Sequence, residues 1–173
     1  MRAAEYYYID KGAKRPLKLL SDTVALRPKE GAKEEKFSKF VERKLANAAK
    51  GGIAVCLLSS NTNFLKIEDE LRKNGASTEV FPVFIEQSSG NMVILTDQIT
   101  ARFRTEASKD DILKLLQENN LSIVRKSRFA PNQYILKITN PTYLQVLNVA
   151  NALNESELVI FATPNFISQF SKE

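Results

Sequence analysis

The sequence predicts an α+β protein made of two tandem βαββαβ units, each an antiparallel sheet with its helices on one face. Three observations carry that expectation. Between Met92 and Phe170 the apolar pattern switches between alternation and helical spacing in the order strand, helix, strand, strand, helix, strand. Part of this pattern recurs earlier: Leu19–Arg27 parallels Ile94–Arg102, and Phe81–Phe84 parallels Thr163–Phe166. The length of 173 residues and a hydrophobic fraction of 43% allow one large or two small cores. The βαββαβ order is that of the split βαβ, or ferredoxin-like, unit, which leaves one sheet face free. The expected units are residues 1–90, with an additional N-terminal strand, and residues 91–173, ending in a C-terminal tail.

The second unit carries the clearer local signals. Ile99, Ala101 and Phe103 alternate with polar residues, as in a half-buried strand. Ile112, Leu113, Leu115 and Leu116 recur at helical spacing behind Ser108, a residue type that caps helix N-termini, with Asp110 and Asp111 following it. Ser122–Ser127 alternates again, and Arg128-Phe129-Ala130-Pro131-Asn132 is a turn. Tyr134–Ile138 is the third strand. Asn140-Pro141 opens a second helix whose stripe is Tyr143, Leu144, Leu147, Ala150 and Leu153. Leu158–Ala162 is the last strand.

The first unit opens on Tyr6-Tyr7-Tyr8, expected as a strand with alternate rings facing the core, and a turn at Asp10-Lys11-Gly12. Arg15–Leu20 reads as a short edge strand and Asp22–Arg27 as another. Lys33–Lys50 reads as a helix with Phe37, Phe40, Val41 and Leu45 on one face, stopped by Gly51-Gly52. Ile53–Leu58 is a continuous apolar run, as in a central strand. Asn61–Asn63 caps a helix over Phe64–Lys73, ended by Asn74-Gly75, and Thr78–Ile85 is a strand. Ser88–Asn91 is a turn or short linker.

Composition narrows the chemistry. The chain has no histidine and one cysteine. Ser-His-Asp and Cys-His catalysis, and zinc sites of the Cys/His type, are therefore excluded, and no catalytic or metal-ligating residue is assigned. No glycine-rich phosphate loop is present, so no cofactor is expected. Cys56 lies in an apolar run and reads as a buried structural thiol. Glu68-Asp69-Glu70 and Asp110-Asp111 fall on expected helices and read as solvated faces. The net charge of +5 speaks to association rather than to fold. No apolar run long enough for a membrane span occurs, and Met1–Tyr8 lacks the apolar block of a signal peptide. The expected compartment is the cytoplasm, with export only as part of a larger precursor.

Three stretches resemble the N-terminal prosegment of bacterial subtilisin-like serine proteases. Leu95–Phe103 resembles that prosegment's first strand. Arg128–Ile138 resembles its central turn and strand. Ala152–Phe166 resembles its closing helix and last strand, which in the family ends Ala-Glu-Pro-Asn before an aromatic; here Thr163 replaces the Glu. The likeness covers residues 92–170, and Phe81–Phe84 with the run to Thr96 resembles what precedes them in members with a long N-terminal region. No protease domain follows in this sequence.

The resemblance implies a role in which a prosegment assists folding of its protease and then inhibits it, the free sheet face packing on the enzyme and the tail lying along the active-site cleft. The expected partner is a subtilisin-like serine protease. The tail residues expected to bind it are Asn165, Phe166, Ile167, Ser168, Gln169 and Phe170; Phe166 and Ile167 read equally well as the end of the last strand. Pro164 is expected where strand pairing stops, with Ile167–Glu173 projecting beyond. The alternative is a ferredoxin-like module for RNA or a regulatory ligand. Tyr134 and Arg125 are its candidate contacts, but the glycine-aromatic signature of RNA-binding sheets is missing, so nucleic acid is not favoured. An enzyme working through the acidic clusters is the least favoured reading.

Overall fold

The computed structural model describes residues 5–28, 39–48, 52–73, 78–139, 143–168 and 170–172. Phe37, Gly51, Asn74, Gly75, Asn140, Pro141 and Gln169, all assigned roles from the sequence, lie outside them. The protein is α+β, with antiparallel strands and three helices among the described residues. Contacts divide the chain into one unit of Met1–Leu17 with Thr96–Asn165 and another of Lys18–Leu95 with Phe166–Glu173.

The Thr96–Asn165 unit follows the βαββαβ order. Its elements are the second part of β6 (Met92–Phe103), α2 (Lys109–Glu118), β7 (Leu121–Lys126), β8 (Gln133–Ile138), α3 (Tyr143–Asn154) and most of β9 (Val159–Ile167). Pairings set the strands in the order β9-β6-β8-β7. β8 is antiparallel to both β6 and β7. The helix signals are those of the sequence. Ser108 caps α2 by accepting the amide of Asp111 at 3.1 Å, and Asp110 and Asp111 complement the dipole of its first turn. Ile112 and Leu116 are buried. Asn120, at φ 54°, takes the left-handed conformation that ends the helix. On α3, Val146, Leu147, Ala150 and Leu153 are buried; the side chain of Tyr143 lies outside the described set.

The last helix is tied to the last strand by one side chain. The Asn154 amide donates to the Ala162 carbonyl at 2.6 Å, and its oxygen accepts the Ala162 amide at 2.9 Å. It occupies the place a neighbouring strand would take. The N-terminal hairpin also belongs to this unit. β1 (Tyr6–Asp10) pairs with the start of β2 (Ala13–Pro28) through a tight turn in which Lys11 and Gly12 have φ 48° and 77°, the conformation of a primed hairpin turn. The three tyrosines are all half-buried rather than divided between core and solvent, and Lys14 Nζ sits 4.3 Å from the Tyr7 ring centre. Asn151 of α3 donates to the Tyr7 carbonyl at 3.1 Å.

In the Lys18–Leu95 unit, the strands follow the order β10-β3-β4-β2-β5-β6. β3 is Val41–Ala48, β4 is Ala54–Leu58, β5 is Thr78–Glu86 and β10 is Phe170–Lys172. The short edge strand and the separate strand expected over 15–27 are one 16-residue strand, β2. Its core gathers Val24, Leu26, Cys56, Leu58, Phe64, Ile67 and Val80, with Phe40, Val41 and Ala54 packed against them. Burying each of the large side chains contributes about 1.5–3 kcal/mol. Phe64 and Ile67 come from α1 (Phe64–Lys73), where Asn63 accepts the Lys66 amide at 3.0 Å, as its cap role requires. Ser88–Asn91 closes a hairpin: Gly90, at φ 72°, donates to the Glu86 carbonyl, and β5 pairs with β6.

One expectation fails here. The helix expected over Lys33–Lys50 is not formed by its described part; Val41–Ala48 is strand β3, antiparallel to β4. The physical reason is visible in the register, which shifts between Val41 and Arg43 and again between Lys44 and Ala46. Each bulge inserts a residue and resets the alternation. Val41 and Lys44, three apart, therefore stand opposite Leu58 and Cys56, two apart on one face of β4, which gives the strand a helix-like spacing. The two-helix layer expected for residues 22–85 is thus not made by the described residues, which hold α1 alone.

Candidate functional site

The β9-β6-β8-β7 sheet has two unlike faces. Residues opposite one another on neighbouring strands share a face. Ile99 stands opposite Leu136 and Ala101 opposite Tyr134, and Ile99, Ala101, Leu136 and the neighbouring Phe103 are buried. On the other face Gln98 stands opposite Lys137, Thr100 opposite Ile135 and Arg102 opposite Gln133. All of these are half-buried except the exposed Lys137, which pairs with Asp97 at 3.4 Å. That face presents amides, a hydroxyl, two cations and one aliphatic side chain. It offers hydrogen-bond donors and acceptors around a small apolar centre, a composition suited to a protein surface.

The tail residues singled out in the sequence are distributed along β9 and β10. Asn165 is anchored twice. Thr100 Oγ1 donates to its side-chain oxygen at 2.7 Å, and Thr96 Oγ1 donates to its carbonyl at 2.7 Å. The first of these bonds sets Asn165 on the open face beside Thr100. Phe166 and Ile167 are half-buried and finish β9, and Ser168 is exposed. Gln169 lies outside the described residues. Phe170 is half-buried and pairs with Ala48 of β3.

Two expectations about this region are corrected. Pro164 does not mark the end of strand pairing; it is buried within β9. Among the described residues β9 pairs only with β6, so the proline's missing donor can face the unpaired edge. Nor does the segment after Ile167 project throughout: Phe170–Lys172 form β10, antiparallel to β3. A three-residue strand carries no periodicity that a sequence can reveal. The local signals of the Thr100–Asn165 bond are a threonine at an outward strand position and an asparagine near a strand end.

Tyr134, a candidate for stacking on a base, lies on the buried face. Its ring meets Phe103 edge-on at 5.9 Å, with Lys126 Nζ 5.9 Å from the ring centre. Gln98, Thr100, Arg102, Gln133, Ile135 and Lys137, the open-face residues of β6 and β8, include no aromatic ring. Arg125 is exposed on β7. Asp69, Glu70, Asp110 and Asp111 are exposed on their helices, and Cys56 is buried. Among the described residues no three of Cys, Asp and Glu gather closely enough to hold a metal ion. No helix of the described residues is long and apolar enough to cross a membrane. No protein family, curated protein or solved structure matches this chain.

Proposed function

We propose that this chain is a prosegment-like inhibitor and folding chaperone of a subtilisin-like serine protease, and that its Thr96–Asn165 unit is ferredoxin-like. The observation that carries the reading is the half-buried, polar face of β6 and β8 beside Asn165. The βαββαβ order and the β9-β6-β8-β7 pairing agree with the fold implied by the resemblance. Central strands β6 and β8 without aromatic rings on this face favour a protein partner over RNA. The role is binding rather than catalysis: a partner that recognises only the native protease stabilises it by mass action. A second ferredoxin-like copy in residues 22–85 is not part of the proposal, since β3 stands where its first helix was expected.

The tail has a defined cost in this reading. For Phe166–Phe170 to lie along a protease cleft as an added strand, β10 must leave β3. Inhibition should therefore combine a contact of the open face with a tail contact that competes with β10 pairing. Inhibition constants against a panel of subtilisin-like proteases test this, using the full chain and a chain ending at Phe166. Stronger inhibition by the full chain is expected. Equal constants would remove the tail from the mechanism, and no inhibition by either at micromolar concentration would overturn the proposal.

A further inference from the structure

We propose that the outer edge of β7, with the loop that follows it, takes up an extended acidic segment of a partner protein as an added strand. The site is the outer strand edge and does not use the tail; of its cations, only Arg125, opposite Ile135, shares the open face.

β7 ends the strand order of its sheet. It pairs with β8 on one side and with no strand on the other among the described residues. Such an edge displays unpaired backbone donors and acceptors, a template for another chain. Ser122–Lys126 are all exposed, with Ile123 at 44% and Val124 at 47%. Beyond them Phe129 is 98% exposed.

The loop that carries Phe129 is held at several points. Ser127 Oγ accepts the amides of Phe129 and Ala130, each at 3.3 Å. The Ser127 amide donates to the Gln133 carbonyl at 2.8 Å, and the Asn132 carbonyl accepts the Phe103 amide at 2.9 Å. The Asn132 side chain donates to the Arg104 carbonyl at 3.4 Å. An aromatic displayed on a fixed loop loses little freedom when it enters a partner's pocket, which is how binding anchors work.

Charge selects the occupant. Leu121–Gln133 contains no carboxylate, while Arg125, Lys126 and Arg128 are all exposed. Arg125 stands opposite Ile135 and Lys126 opposite Tyr134, so the two cations lie on opposite faces of the edge. A flat anionic bilayer meets one face at a time. A strand added along the edge meets both, with alternate side chains beside each cation. A second copy of this chain pairing through the same edge would set cations near cations. The register shift between Ile123 and Arg125 adds local twist, which restricts the match to a short segment.

The test is an amide chemical-shift titration of the full isotope-labelled chain. The probes are a peptide of alternating glutamate and valine, its lysine counterpart, a glutamate peptide N-methylated at alternate amides, and phosphatidylserine vesicles. The glutamate peptide should move the amides of Ser122–Lys126 and Phe129. Its affinity should fall by about tenfold or more in the R125E/K126E/R128E variant, less in F129A, and steeply with salt. The N-methylated peptide should not bind. These side chains are exposed, so unshifted signals elsewhere will show that the variants stay folded. Shifts centred away from β7, an equal response to the lysine peptide, binding of the vesicles alone, or no response to the glutamate peptide at millimolar concentration would each overturn the proposal.

Discussion

Thr100 donates its hydroxyl hydrogen to the side-chain oxygen of Asn165 at 2.7 Å, across 65 residues of sequence. This bond joins the middle of β6 to β9, while Thr96 secures the same asparagine by its carbonyl. Replacing Thr100 by Val leaves a half-buried acceptor without its donor, at a cost of about 1–2 kcal/mol, and Asn165→Ala should cost a similar amount. The double variant should lose less than the sum, with a coupling of about 0.5–1.5 kcal/mol in urea unfolding. Strict additivity would show that the two side chains do not act on one another.

Asn154→Asp separates hydrogen bonding from size at the end of α3. A carboxylate can still accept the Ala162 amide but cannot donate to the Ala162 carbonyl, which Asn154 now does at 2.6 Å. A loss of about 1–3 kcal/mol is expected, with faster hydrogen exchange around Ala162. Unchanged stability and exchange at neutral pH would mean that the amide does not bridge helix and strand.

Arg43 offers a direct test of β3. It is exposed and stands opposite Leu57 on a strand where helical spacing had suggested a helix. Arg43→Thr should raise stability by a few tenths of a kcal/mol, up to about 1 kcal/mol, because β-branched residues suit the pleated surface. On a helix the same change is unfavourable. A lower urea midpoint would therefore count against the strand.

Ending the chain at Ser168 removes β10 and uncovers the edge of β3. Free edges invite pairing with other chains. The shortened chain should keep its secondary structure but self-associate in sedimentation velocity runs at concentrations where the full chain does not. A monomer indistinguishable from the full chain would show that β10 does not protect that edge.

The sequence was most legible where each element carried its own local signal. Ser108 and the Ile112–Leu116 spacing located α2, and the Ile99-Ala101-Phe103 alternation located β6. Val41–Ala48 misled because its bulges mimic the spacing of a helix. β10 was invisible because only its pairing with β3 makes it a strand. At the candidate site, the sequence singled out Asn165 but not Thr100, its partner. Phe129 was read as part of a turn, since exposure is a property of the surroundings and not of the residue.

The bond from Asn151 to the Tyr7 carbonyl spans 144 residues. During synthesis β1 emerges long before the helix that receives it. The unit containing both can close only once α3 has been made. Folding of this unit should therefore be slow, as expected when contacts are distant in sequence. Until then the tyrosine hairpin lacks its helix, leaving an interval in which a chaperone can hold the nascent chain.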